Sequence, residues 1–275
     1  MRAAVIGHVE WTEFAPVPVV PRPGEIANAG SSFLEAAGGG AVAAVQLARL
    51  GADTTFFTAL GDDEPARHVV EQLTALGVRL EVARRPDKPT RRAFTFLDSD
   101  GERTITTIGE RIQPECDDPL PWELLDETDT VYFVAGGPDV VQAARRARVV
   151  VATARMLPTL AEAHAQLDVV VGSGKDRKEQ YRPIEPQPRY VAVTDGAAGG
   201  AWRGLEGRTG RWTAAALDAP VADSYGCGDS FAAGIAYGLG DGRDIDAALA
   251  LAARCGAVCL TGRGPYGRQL THADL

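Results

Sequence analysis

The segment Asp223-Ser-Tyr-Gly-Cys-Gly-Asp229-Ser-Phe-Ala-Ala-Gly-Ile-Ala-Tyr-Gly-Leu239 has residue types and spacing suited to chemistry. Gly226 and Gly228 bracket Cys227 in a tight turn. From Ser230 on the chain reads as a helix, with Phe231, Ile235 and Leu239 on one stripe. A glycine-rich turn entering a helix aims several unpaired N–H groups, carrying roughly half a positive charge, at one point. That point suits an anion, either a bound phosphate or the charge that develops during phosphoryl transfer. Asp229 stands where turn becomes helix. An aspartate there can cap the helix. Beside an anion hole it can also accept the proton of an attacking hydroxyl. The second carboxylate, Asp223, leads into the turn and shifts the balance toward chemistry.

Such a turn needs a scaffold. Short β-like runs alternate with longer Ala/Leu-rich ones: Ala3–Ile6, Ala41–Leu50, Thr54–Ala59 and Glu64–Leu76. Later strands are expected at Thr130–Val134, Arg148–Ala152, Val169–Val171 and Tyr190–Thr194, with Leu160–Gln166 helical between two of them. This alternation predicts an α/β fold with a central, mostly parallel sheet flanked by helices. Gly234 and Gly238 would let a neighbouring helix pack closely. Two stretches break the pattern. Residues 9–34 are rich in Pro and polar residues, with short strands expected at Val17–Val20 and Ser31–Phe33. Residues 91–108 are two alternating runs around Asp98-Ser-Asp-Gly101, a hairpin with its turn residues in place. Together, parts of 9–34 and 88–110 suggest a small β-strand lid on a single domain of residues 1–275. Two decorated surface loops are the plainer alternative.

A chain of 275 residues is near the upper size for one hydrophobic core. Its net charge of −9 opposes general affinity for nucleic acid or an anionic membrane. The longest apolar helix, Ala247–Leu260, is too short to span a bilayer. The N-terminal run is a short buried strand rather than a signal peptide. Cys116, Cys227, Cys255 and Cys259 are too scattered for a disulfide framework, so a reducing cytoplasm is the expected compartment. The first strand ends in Gly7-His-Val-Glu, without the G-x-G-x-x-G of a dinucleotide site, and no Walker-type loop is present. A nicotinamide-dependent dehydrogenase and a P-loop kinase are therefore both disfavoured.

The Asp223–Asp229 segment resembles the D-T-x-G-A-G-D motif of the ribokinase/phosphofructokinase-B family. A second match is Ala37-Gly-Gly-Gly-Ala-Val-Ala-Ala-Val-Gln-Leu-Ala-Arg-Leu-Gly-Ala52, followed by Phe57-Thr-Ala-Leu-Gly-Asp-Asp63 and Leu76-Gly-Val78. A third is Val193-Thr-Asp-Gly196 with Gly199 and Gly200, and Pro23-Gly24-Glu25 fits the family's early loop. The matches keep their order from Val5 to about Gly267. The resemblance implies a ribokinase-like fold with a lid and an ATP- and Mg²⁺-dependent kinase acting on a sugar, nucleoside or similar alcohol. It makes Asp229 the general base and the turn of Gly226, Cys227, Gly228 and Asp229 the anion hole. It puts the nucleotide against Thr194, Gly196, Gly199 and the Thr261–Gly267 loop, including Gly264, and the acceptor against Gly38 and Gly39. Relatives often use a monovalent cation such as K⁺, and Asp223 occupies a position that helps hold it. Lid strands with free edges would also allow a homodimer.

Several positions depart from the family. Its Asn-x-x-Glu, which organises Mg²⁺, is nearest to Ser173-Gly-Lys-Asp176, where an oxygen donor and the carboxylate of Asp176 are kept. The loop could equally be solvated, and Lys175 or Lys178 could neutralise phosphate. At the sugar end, Val42 replaces an Asn and Gly7-His-Val-Glu-Trp replaces an early Asp. Glu10 could supply the missing acid and Trp11 could stack on a ring. Arg91, Arg92 and Arg103 on the hairpin could face a phosphorylated or acidic acceptor, or solvent. A catalytically weak nucleotide or sugar sensor is the rival from a different class.

Overall fold

The computed structural model describes residues 1–275. In chain order, β1 (Arg2–Ile6), β2 (Glu10–Pro16) and β3 (Phe33–Ala37) precede α1 (Gly39–Arg49), β4 (Asp53–Leu60), α2 (Glu64–Ala75) and β5 (Arg79–Arg84). Next come β6 (Arg92–Leu97), β7 (Arg103–Ile108), β8 (Thr130–Phe133), α3 (Pro138–Ala144), β9 (Val149–Thr153), α4 (Leu157–Ala163) and β10 (Val169–Ser173). The chain closes with β11 (Tyr190–Thr194), β12 (Gly200–Gly204), β13 (Thr209–Trp212), α5 (Cys227–Gly240) and α6 (Ile245–Leu260).

The main sheet has the order β13-β12-β11-β10-β9-β8-β1-β4-β5. It is parallel from β11 through β5, with β12 and β13 antiparallel at one edge. Strand alternation sends Ala3 and Val5 into the core shared with α1, α2, α5 and α6, and Ala4 and Ile6 into the one shared with α3 and α4. Both faces are covered, which is why these strands read as continuous apolar runs.

Helix α5 is held in place by α6. A Cβ on Gly234 would lie 2.6 Å from Ala252 Cα, and one on Gly238 2.8 Å from Ala248 Cα, so the two helices touch backbone to backbone. Helix α6 starts where Asp244 accepts the Ala247 N–H at 2.8 Å. Helix α5 starts three residues before the expected Ser230. Gly226, at φ 78°, is its N-cap, and only a left-handed residue there lets the chain turn straight into the helix. Asp229 is therefore inside the first turn and does not cap it.

A second sheet, ordered β3-β2-β6-β7, stands beside the first. Its β2–β6 pair is parallel, while β2–β3 and β6–β7 are antiparallel. The early strand runs Glu10–Pro16 and not Val17–Val20, since Pro18, Pro21 and Pro23 lack the N–H groups a ladder needs. Its partner is Phe33–Ala37, later than the expected Ser31–Phe33. Helix α4 is also shifted: it begins at Leu157 with Pro158 in its first turn and ends before His164, which is left-handed at φ 48°.

Candidate active site

The C-terminal ends of the central strands face the second sheet across a cavity of about 440 Å³. Tyr132 of β8, Thr153 of β9, Ser173 of β10 and Thr194 of β11 line one side, and Arg103, Ile105 and Thr107 of β7 the other. Ligands of open α/β sheets bind at this strand end. The start of α5 closes the floor with Gly226, Gly228 and Asp229.

Asp229 is half-buried and lines this cavity. Burial pushes its carboxyl up to about 6, and the nearby Glu179 adds to the rise, while Arg103 and Arg155 oppose it. The Tyr132 hydroxyl donates to Asp229 Oδ1 at 3.3 Å. The amides of Cys227, Gly228 and Asp229 open α5, where they have no partner inside the helix, and no side chain caps it. The Cys227 side chain lies beside Cys259 and does not line the cavity, whereas Gly226, Gly228 and Asp229 around it do. Val42 packs under the turn: a Cβ on Gly226 would lie 2.8 Å from its Cγ1. The residue that departs from the family's amide thus fixes the turn by packing.

Of the other expected residues, Glu10, Gly38, Gly39, Thr194 and Asp176 line the same cavity. Gly38 donates its N–H to the Tyr225 hydroxyl at 3.0 Å. Gly196 and Gly199 form the left-handed turn between β11 and β12, at φ 54° and 83°. Lys175 Nζ reaches this turn, 2.8 Å from where a Gly196 Cβ would be. Ser173 Oγ accepts the N–H groups of Lys175 and Asp176, at 3.2 and 3.1 Å, and so shapes its loop. Gly264 and Asp223 lie outside the cavity. Asp223 is 1% exposed and accepts N–H groups from Tyr225 at 2.9 Å and Gly264 at 2.6 Å, tying the loop before α5 to the loop after α6.

Two expectations are corrected. Trp11 points away from the cavity and stacks on His68 of α2, with ring centroids 5.2 Å apart. Arg92 is exposed outside the cavity. The reason in both cases is strand alternation: Glu10 and Arg91 face inward, so their successors face outward.

Residues not anticipated from sequence complete the site. Arg155, just past β9, bonds Asp176 Oδ2 at 2.7 Å and Glu179 Oε1 at 2.6 Å. Asp176 is held below the usual carboxylate range, first by the Lys178 N–H and then by Arg155. His8, Arg111 and Glu179 also line the cavity. Arg155 could have been found by its place at the carboxyl end of a predicted strand. Glu179 sits three residues beyond Asp176, so Asp176-Arg-Lys-Glu179 keeps the Asn-x-x-Glu spacing with its glutamate, a signal that the alignment on Ser173–Asp176 passed over.

The profile of the pfkB family carbohydrate kinases matches residues 2–171 and 156–271. An ATP-dependent ribose-1-phosphate kinase of Halopiger xanaduensis is 28% identical, over 94% of this chain and 91% of the relative. A ribokinase of Arabidopsis thaliana is 25% identical, over 94% and 76%. The structure of Arabidopsis thaliana ribokinase with ribose and ATP superposes with a TM-score of 0.78 at 19% identity, covering 99% of this chain and 96% of that one. Giardia lamblia ribokinase gives 0.82 at 16% identity, covering 100% and 98%. The fold is that of the ribokinases, and the chain belongs to the pfkB family of carbohydrate kinases, ATP-dependent phosphotransferases with an alcohol group as acceptor.

Proposed function

We propose that this kinase transfers the ATP γ-phosphoryl group to a hydroxyl of a sugar or sugar-like metabolite, with Asp229 as general base. One observation carries the proposal: a half-buried carboxylate, raised to about 6, stands in the first turn of an uncapped helix that opens into the cavity. Asp229 takes the acceptor proton as the hydroxyl oxygen bonds to phosphorus and the bond to ADP breaks. The amides of Cys227, Gly228 and Asp229 hold the transferring phosphoryl and stabilise its charge. Tyr132 orients the carboxylate. Thr194, the Gly196–Gly199 turn and the Gly264 loop border the nucleotide.

The side chains fit both expected cations. No cluster of three or more His, Cys, Asp or Glu could hold a metal alone. Mg²⁺ needs only one or two carboxylates beside phosphate and water. Asp176 and Glu179 offer these at the cavity wall, where the ion would neutralise phosphate charge when bound. For a monovalent cation, Asp223 is joined by Glu35, whose Oε2 is buried without a partner. Burial and Asp223 push Glu35 up to about 7. Asp223 and Glu35 would hold the ion and so firm the loops that carry the turn.

The acceptor named for the Halopiger relative is a phosphorylated sugar, whereas that of the ribokinases is ribose. The proposal is tested by ADP release with Mg-ATP across sugars, sugar phosphates and nucleosides. Asp229→Asn should lower turnover by about 10²–10⁴-fold and leave nucleotide binding intact. Undiminished activity in that variant would falsify the mechanism. ATP binding without transfer to any acceptor would favour a sensor.

A further inference from the structure

The cavity also holds cationic groups that the transfer chemistry does not use. Arg91 precedes β6 and Arg111 follows β7. Because Arg92 pairs with Ile108 at the open end of this hairpin, the two arginines emerge side by side. Both line the cavity, together with His8 from the end of β1. Arg91 Nη1 reaches Glu10 Oε1 at 3.1 Å, but its Nε is buried with no partner. Arg111 forms no ion pair with the carboxylates around it, although it stands among other guanidinium groups. The His8 side chain is 13% exposed, and its Nδ1 is buried without a partner.

Like charges are not gathered in a half-enclosed cavity without a counter-charge to offset their repulsion. Glu10 is the carboxylate beside this cluster, and it meets only Arg91 and, more distantly at 3.8 Å, His8. Burial and the charges of Arg111, Arg91 and Arg155 push His8 down to about 3, so it is a neutral hydrogen-bonding group here. Gly38 lies against His8 and Glu10, and its neighbour Gly39 against Asp229, so the cationic cluster and the base are set one residue apart along this turn. Three separately placed donor groups match the three terminal oxygens of a phosphate ester, whereas one guanidinium fork already fills a carboxylate.

We infer that the acceptor enters already phosphorylated, its phosphate monoester held by Arg91, Arg111 and His8, with its free hydroxyl presented to Asp229. The inference rests on the kinase function proposed above. The product is then a sugar bisphosphate, so the reaction that supplies the substrate must yield a sugar monophosphate.

The test compares ribose, ribose 1-phosphate, ribose 5-phosphate and ribonate as acceptors for the purified protein. Inorganic phosphate serves as a competing probe, and Arg111→Met and Arg111→Lys are run alongside. Arg111 is exposed at the cavity mouth, so both variants should fold; matched melting curves confirm it. A phosphate ester should be the best acceptor. Arg111→Met should raise its KM about 10- to 100-fold, the range for losing charge-assisted hydrogen bonds, with a much smaller effect on ribose. Arg111→Lys should fall between, and inorganic phosphate should stop competing with the acceptor in Arg111→Met. Equal use of ribose and its phosphates, with KM unmoved in Arg111→Met, would overturn the subsite while leaving the kinase intact. Preference for ribonate would overturn the phosphate assignment. The separate loss of activity in Asp229→Asn reports on the kinase itself.

Discussion

Gly39, the first residue of α1, faces Asp229 in α5 so closely that a Cβ at Gly39 would lie 2.6 Å from Asp229 Oδ1. It would also lie 3.0 Å from Val134 Cγ2, so the added methyl has no free side to move to. The glycine of one helix start is thus the seat of the carboxylate on the other. Gly39→Ala should displace the base and lower kcat by about 10- to 100-fold, since misplacement of about 1 Å can cost 10²-fold. Overpacking of this kind costs about 1–3 kcal/mol, so the variant should still fold. Steady-state kinetics with a melting curve checks both, and an unchanged kcat would show that Asp229 is not held by this contact.

The raised carboxyl of Asp229 has two consequences of opposite sense. As a base it must be ionised, so kcat/KM should fall tenfold per pH unit below about 6 and level off above it. For stability, a raised carboxyl favours the neutral form in the fold. Its contribution is fully present below the unfolded value of about 4 and is lost as pH rises through about 6. Asp229→Asn, neutral throughout, should therefore melt a few degrees above the native protein at pH 8 and no higher near pH 4. A pH–rate profile flat down to pH 5 would remove Asp229 from the role of base.

The unpartnered Glu35 Oε2 beside Asp223 gives a cation test that needs no turnover. At equal ionic strength, K⁺ should raise the melting temperature relative to choline, and Glu35→Gln should abolish the difference. Identical melts for the native protein in both salts would show that this carboxylate pair holds no ion.

Strand β7 is an edge of the second sheet, and all of its residues are exposed, including Ile105 at 42% and Ile108 at 44%. An open strand edge of this kind, with unpaired N–H and C=O groups, pairs readily with another strand. A homodimer joined through β7 is the expected assembly, and Ile108→Lys should return it to monomers. Sedimentation of the two proteins decides the matter, and a native protein that is monomeric at every concentration would end the idea.

The parallel sheet was legible because strands buried on both faces must be apolar throughout, and helices between them must repeat near every fourth residue. Gly226, Gly228 and Asp229 were legible because a close turn into a helix leaves little choice of residue. The errors came where local pattern is weakest. Val17–Val20 is apolar and β-branched, yet its neighbouring prolines deny it a ladder, and the real strand Glu10–Pro16 is mostly mixed in polarity. Trp11 and Arg92 were each one residue off, and in a strand one residue reverses the face.

Sequence by itself determined the layered α/β architecture, the glycine turn and the carboxylate within it, since these depend on spacing of a few residues along the chain. Only the tertiary structure decided which charges share the cavity. Arg91 and Arg111 meet through the register of the β6–β7 hairpin, Arg155 meets Asp176 and Glu179 across neighbouring strand ends, and Glu35 of β3 meets Asp223 in the loop before α5. Electrostatic interaction depends on distance through space and on the water excluded there, and neither is written in the spacing of residues along a chain.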